Sequence, residues 1–146
     1  MIGQLIINVI KKMEDMMQGR VLINPEGTES IYESMQFSQA VKANNMIWVS
    51  GQVGIDKDFS IGKGIEEQSR MAFQNLKGVI EAAGGSLADI VELVTYHISM
   101  KEMRQFSKVK AEFIPSNYPA WTAVGVKELV LKGLLVEIRA TAIINT

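Results

Sequence analysis

The chain has no cysteine. Disulfides, thiolate nucleophiles and cysteine-ligated metals are therefore excluded, and a reducing compartment fits this usage. It has a single histidine, His97. That rules out a histidine-rich metal site within one chain, and any Ser-His-Asp arrangement would have to use this one imidazole. An excess of positive charge is missing too. Lys and Arg number 15 against 16 Asp and Glu, whereas a grip on nucleic acid needs a basic stripe. The apolar opening, MIGQLIINVI, is too short to span a bilayer. Its basic pair, Lys11-Lys12, follows the apolar run, whereas a signal peptide carries its charges first. The expected location is the cytoplasm, with neither membrane nor nucleic acid as a partner.

What is present suits one ordinary domain. Of the 146 residues, 47% are hydrophobic and 21% charged, enough to build a core without a disulfide or metal staple. No repeat, low-complexity run or Pro/Gly/Ser-rich linker divides the chain. Residues 1–19 read as an N-terminal extension and 20–146 as the domain. Met13, Met16 and Met17 offer alternative starts. The rival reading is an amphipathic helix that uses Ile6, Val9, Ile10, Met13 and Met17 to cover apolar surface.

Asn24-Pro25-Glu26-Gly27 reads as a turn. Two β-prone runs, 37–43 and 46–50, flank Asn44-Asn45 and predict a hairpin. Residues 51–64 carry four glycines and read as a loop, with Ser50 in the tight turn before Gly51. Ala72, Phe73, Leu76, Val79, Ile80 and Ala83 recur at three- and four-residue spacing, which predicts a helix over 66–83, stopped by Gly84-Gly85. A strand over 90–100 puts Ile90, Val94, Tyr96, Ile98 and Met100 on one face and Thr95, His97 and Ser99 on the other. His97 is thus expected at a surface or interface. A second helix covers 101–114, with Lys108 and Lys110 on a solvated face. Two last strands, 120–127 and 134–144, are joined by a short connection that predicts antiparallel pairing. Two helices cannot cover both faces of such a sheet, so an α+β fold is expected, with both helices on one face and neighbouring subunits on the other.

Several of these stretches are familiar in order. Phe37-Ser38-Gln39-Ala40-Val41 is similar to a "YSQAV" strand, and Trp48-Val49-Ser50-Gly51-Gln52 to an "SGQ" turn. Gln68-Ser69-Arg70 with Asn75-Leu76 matches a first helix. Ala111-Glu112-Phe113 and Tyr118-Pro119-Ala120 match the approach to a "PAR" motif, and Leu135-Val136-Glu137-Ile138 a "VEIEA" strand. Together they resemble the Rid (YjgF) family, also called endoribonuclease L-PSP-like, over about 125 residues. The resemblance implies a chorismate-mutase-like mixed sheet, a homotrimer and small-ligand clefts between subunits. It also implies hydrolysis of enamines or imines without metal or cofactor. In such proteins the motif arginine holds the substrate carboxylate as a two-pronged fork, and the glutamate at position 137 places a water.

The chain departs from that pattern at three positions. Trp121 stands where the motif arginine belongs, and an indole has one donor and no charge. Phe37 replaces a tyrosine, and Arg139 a second glutamate. Glu137 is the candidate catalytic residue; Trp121, Arg139, Ser50, Phe37 and Gly51 are the candidate substrate-binding residues. If the last two strands pair tightly, Trp121 lies near Arg139. The guanidinium could then stack on the indole, pair with Glu137 and replace the lost charge. The plainer expectation is an interface ion pair between Glu137 and Arg139 beside an anchoring tryptophan. Two functions follow: a deaminase-type hydrolase with altered substrate range and weak or no action on 2-iminobutanoate and 2-iminopropanoate, or a non-catalytic trimeric metabolite-binding protein.

Overall fold

A computed structural model of the chain describes residues 1–17 and 19–145. Its elements in order are α1 (Ile2–Met17), β1 (Val21–Ile23), α2 (Glu29–Met35), β2 (Ala40–Ala43), β3 (Met46–Val53), α3 (Gly64–Ala82), β4 (Ile90–His97), α4 (Met103–Phe113), β5 (Ala120–Gly125) and β6 (Val136–Ile143). The six strands form one sheet in the order β1-β2-β3-β6-β4-β5.

The predicted hairpin is present. Asn44 turns it with a φ of 53°, a left-handed conformation that asparagine tolerates better than most residues. β3 then runs past its expected end at residue 50, because β6 pairs with it through Gln52 and Val53. Ser50 and Gly51 therefore lie within a strand rather than in a tight turn. The β3–β6 register shifts between Val49 and Gln52, and such an irregularity re-aims nearby side chains.

The last two strands do not pair with each other. β5 runs parallel to β4, with Trp121 opposite Leu93. β6 lies between β3 and β4, antiparallel to both. Parallel neighbours need a crossover connection, and α4 supplies it between β4 and β5. That takes the place beside β4 that a simple hairpin would have given to β6, so β5 becomes an edge strand.

Helices α3 and α4 pack on one face of the sheet. The apolar stripe of α3 buries Ala72, Phe73, Leu76, Val79 and Ile80. Each large side chain so buried is worth roughly 1.5–3 kcal/mol. Gly84 follows the helix at a φ of 91°, the left-handed stop its sequence announced. Phe73 stacks with Phe106 of α4 and with Phe113, at 5.8 and 5.2 Å between centroids. The sheet answers with Ile47, Val49, Leu93, Val136, Ile138, Ala140 and Ala142.

Thr95 and His97 share the Leu93 face and are buried under α4. His97 is thus a core residue, with its ring edge-on to Phe106 at 4.8 Å. An irregularity between Ile90 and Glu92 shifts the alternation, so Ile90 also faces the core. The opposite face carries Trp48, Val94, Tyr96, Val124, Glu137, Arg139 and Ile143, and neither α3 nor α4 covers it.

The N-terminal segment does form a helix. Its apolar side chains are not buried against the domain: Ile6, Val9, Ile10 and Met13 are all half or more exposed. Lys11, over the ring of Tyr32 at 4.9 Å, ties α1 to α2.

Candidate active site

Glu137 sits on β6 on the open face, half-buried, with its carboxylate turned toward Gly51. A Cβ at Gly51 would lie 2.6 Å from Glu137 Oε1 and 2.7 Å from Cδ. Only a residue without a side chain lets the carboxylate occupy that place. Burial pushes the Glu137 carboxyl above its ordinary range, because losing water penalises the charged form. Among the described residues, no cation lies within ion-pair distance of it. The anticipated pair with Arg139 is thus not formed within the chain.

Above this carboxylate opens a pocket of about 690 Å³. Its walls include Phe37, Gly51, Val53, Asn75 and, from α2, Ile31 and Met35. It is large enough for a small metabolite. The wall is braced by hydrogen bonds. Asn75 Nδ2 donates to the carbonyls of Val53 (2.9 Å) and Ile55 (3.0 Å). Gln52 Nε2 donates to Gln39 Oε1 at 2.9 Å in the buried layer beside it. The Ser50 hydroxyl donates to the Ser38 carbonyl at 2.7 Å, so its proton ties two segments together and only its lone pairs remain for a ligand. Asp56 closes its own loop by accepting from the N–H groups of Asp58 and Ser60.

Trp121 lies elsewhere. On β5 it shares the helix face with Leu93 and Thr95, whereas Glu137 and Arg139 face the other way. Two strand spacings, about 10 Å, also separate β5 from β6. Arg139 pairs across to Val94 on the open face, so it cannot stack on the indole within one chain; the intervening β4 is the physical reason. The indole instead packs on Phe106, 5.9 Å between centroids, and its Nε1–H donates to Thr95 Oγ1 at 2.9 Å. Thr95 Oγ1 is also 2.7 Å from His97 Nε2. The hydroxyl thus bridges the indole and the imidazole, while His97 Nδ1 is buried without a partner among the described residues. Burial holds the His97 pKa below its usual value, so the ring is neutral.

The cation beside Trp121 is Lys110, with Nζ 4.7 Å from the indole and 5.6 Å from the ring of Tyr118. The sequence placed Lys110 with Lys108 on a solvated face. Lys108 does reach outward, to Glu66 at 3.6 Å, but Lys110 folds back over the aromatic pair. The signals that could have found these partners are local: a lysine five residues before Pro115, in the turn that leads to Tyr118 and Trp121, and a threonine two residues before the only histidine. Among the described residues, no group of three or more His, Asp or Glu is arranged to hold a metal ion.

The sheet thus carries two separate groups, one on its inner strand β6 and one at its β5 edge. One holds an acid on the floor of a pocket. The other holds an indole and an ammonium.

A family model described as Endoribonuclease L-PSP matches residues 27–144. A RutC family protein of Pyrococcus horikoshii is 40% identical over 108 residues, covering 73% of this chain and 85% of that one. A 2-iminobutanoate/2-iminopropanoate deaminase of Dermatophagoides farinae is 33% identical over 111 residues, covering 75% and 86%. The solved structure of YjgH, a RutC family protein in Escherichia coli, superposes with a TM-score of 0.79 at 33% identity, over 88% of this chain and 98% of that one. With its mixed sheet, paired helices and bulged third strand, the chain belongs to the Rid (YjgF) family.

Proposed function

We propose that the protein is a cofactor-independent, deaminase-type hydrolase of small enamines or imines, working in the cytoplasm as a homotrimer with its ligand between subunits. The observation that carries this reading is the half-buried, unpaired Glu137 on the floor of the 690 Å³ pocket. A carboxylate held there, with its pKa raised by burial, is suited to take a proton from a water attacking an iminium carbon. That water adds to the carbon, Glu137 passes its proton to the carbinolamine nitrogen, and the C–N bond breaks as the hydroxyl proton goes to Glu137, releasing ammonia and the keto compound. Phe37 and Gly51 shape the cavity around that carbon, and Ser50, outside the lining, braces the strand beside it.

The between-subunit arrangement is supported by the distance between the two groups within one chain. β3 outruns β2 at the Gly51 end, and β5 is the opposite edge of the sheet. In this reading one copy's β5 edge meets the next copy's β3 edge head to tail, with Trp121 facing the neighbour's pocket, a contact that gives a ring where its rotation closes. It also covers the edge strand, which otherwise invites uncontrolled pairing. Light scattering checks the assembly, with about three chain masses expected.

The activity is tested by generating 2-iminobutanoate, 2-iminopropanoate and a wider set of enamines in situ and measuring ammonia release. We expect weak or no acceleration for the first two, since an indole replaces a two-pronged fork on the carboxylate, and loss of a charged hydrogen bond costs roughly 1.5–3 kcal/mol. At least one other compound should be hydrolysed, and Glu137→Gln should abolish that turnover. The neutral Trp121 also favours a second reading, a trimer that binds a metabolite without converting it. Ligand-dependent stabilisation with no turnover of any compound would establish that one instead.

A further inference from the structure

We infer that Lys110 is the specificity-determining cation of the site: its ammonium receives the carboxylate of the small acid that lies against Trp121. The inference rests on the two-copy site proposed above. It is carried by the placement of Lys110, not by its charge alone. The side chain is partly buried and folds over Trp121 at 4.7 Å and Tyr118 at 5.6 Å. Among the described residues no carboxylate lies within ion-pair distance of it, although Lys77, Lys108 and Arg70 each have one. Lys110 is therefore an ammonium held in place by aromatic faces with its charge uncompensated, and that fixes where an anion would be received.

Trp121 is itself fixed from the other side. Its Nε1–H is committed to Thr95, so the indole has no donor left for a ligand. Its remaining contribution is a flat apolar wall, 37% exposed, with Lys110 at its margin. A planar acid can lay its unsaturated part on that wall and its carboxylate on the ammonium. A lysine is a point charge, where an arginine makes a planar fork, so the acid is held through one oxygen and can pivot. This predicts tolerance of acids with different chain lengths and intolerance of their amides.

The test uses the full chain and 2-oxobutanoate as the probe, with its amide as the neutral counterpart, titrated by calorimetry. The variants are Lys110→Met, which keeps the stem over the rings, and Lys110→Arg, which keeps the charge. Affinity for 2-oxobutanoate should fall about 10- to 100-fold in Lys110→Met, as for loss of a charged hydrogen bond. It should stay within a few-fold in Lys110→Arg. The amide should bind all three proteins weakly and equally. Light scattering shows whether each variant keeps the wild-type assembly. Unchanged affinity in an assembled Lys110→Met, or a wild type that fails to prefer the acid over its amide, overturns the inference. The hydrolase reading fails separately, if Glu137→Gln retains wild-type ammonia release while Lys110 still governs acid binding.

Discussion

Trp121 is tied to Thr95 by a 2.9 Å hydrogen bond from the indole Nε1–H to the threonine hydroxyl oxygen. That bond turns the indole toward the helices and away from the strand that carries Glu137. Thr95 in turn meets His97 at 2.7 Å, so the tryptophan at the sheet edge is anchored to the lone histidine in the core. Replacing Thr95 by valine keeps the shape and removes both bonds, leaving buried polar groups without partners. We expect a loss of about 1–3 kcal/mol in stability, read by urea unfolding, together with weaker ligand binding at an otherwise intact pocket.

His97 should make stability depend on pH in a defined direction. Burial lowers its folded-state pKa, so below pH 6.5 or so the unfolded chain takes up a proton that the folded chain refuses. Stability is full above the unfolded value and falls as pH drops through it toward the folded one. The slope from this group is at most about 1.4 kcal/mol per pH unit. His97→Phe should lose that component when unfolding free energy is measured at several pH values.

Glu137 acts in the opposite sense. Its pKa is raised by burial, so its contribution to stability is present below the ordinary carboxyl pKa and lost as pH rises through the folded value. At neutral pH Glu137→Gln should therefore be more stable than wild type, by about 0.5–2 kcal/mol, while losing turnover. A less stable variant would show that the carboxylate is a strut.

Gly51→Ala places a methyl 2.6 Å from Glu137 Oε1, well inside contact distance. The carboxylate must swing aside. The expected outcome is a folded protein, shown by an unchanged far-ultraviolet spectrum, with turnover or ligand binding reduced at least tenfold.

The sequence carried the layout further than the wiring. The spacing of Phe73, Leu76 and Ile80 forecast α3 closely, and the motif residues brought Phe37, Gly51 and Glu137 to one pocket wall. Strand pairing was less legible. Two adjacent strands with a short connection read as a hairpin, yet α4 makes β4 and β5 parallel and sends β6 to the far side of β4. That tertiary choice reverses the expected neighbourhood of Trp121, giving it Thr95 and Lys110 in place of Arg139. His97 was misread for a related reason. Thr95 and His97 form a polar face by composition, yet it is buried, with the Thr95 hydroxyl meeting both the imidazole and the indole. The amphipathic helix that Ile6, Val9, Ile10, Met13 and Met17 offered as a rival reading does form, but its exposed apolar side shows that periodicity does not say what a helix covers.

The claim on which the rest depends is that Glu137 of one copy and Trp121 of another build a single site. It is tested most directly by unfolding Glu137→Gln and Trp121→Ala together and refolding them as mixed trimers. The readout is ammonia release on the enamine that the wild type turns over fastest. Each variant alone should be inactive, and the equal mixture should recover about one site in four by random assembly of a symmetric ring. A mixture no more active than its parents would contradict the shared site.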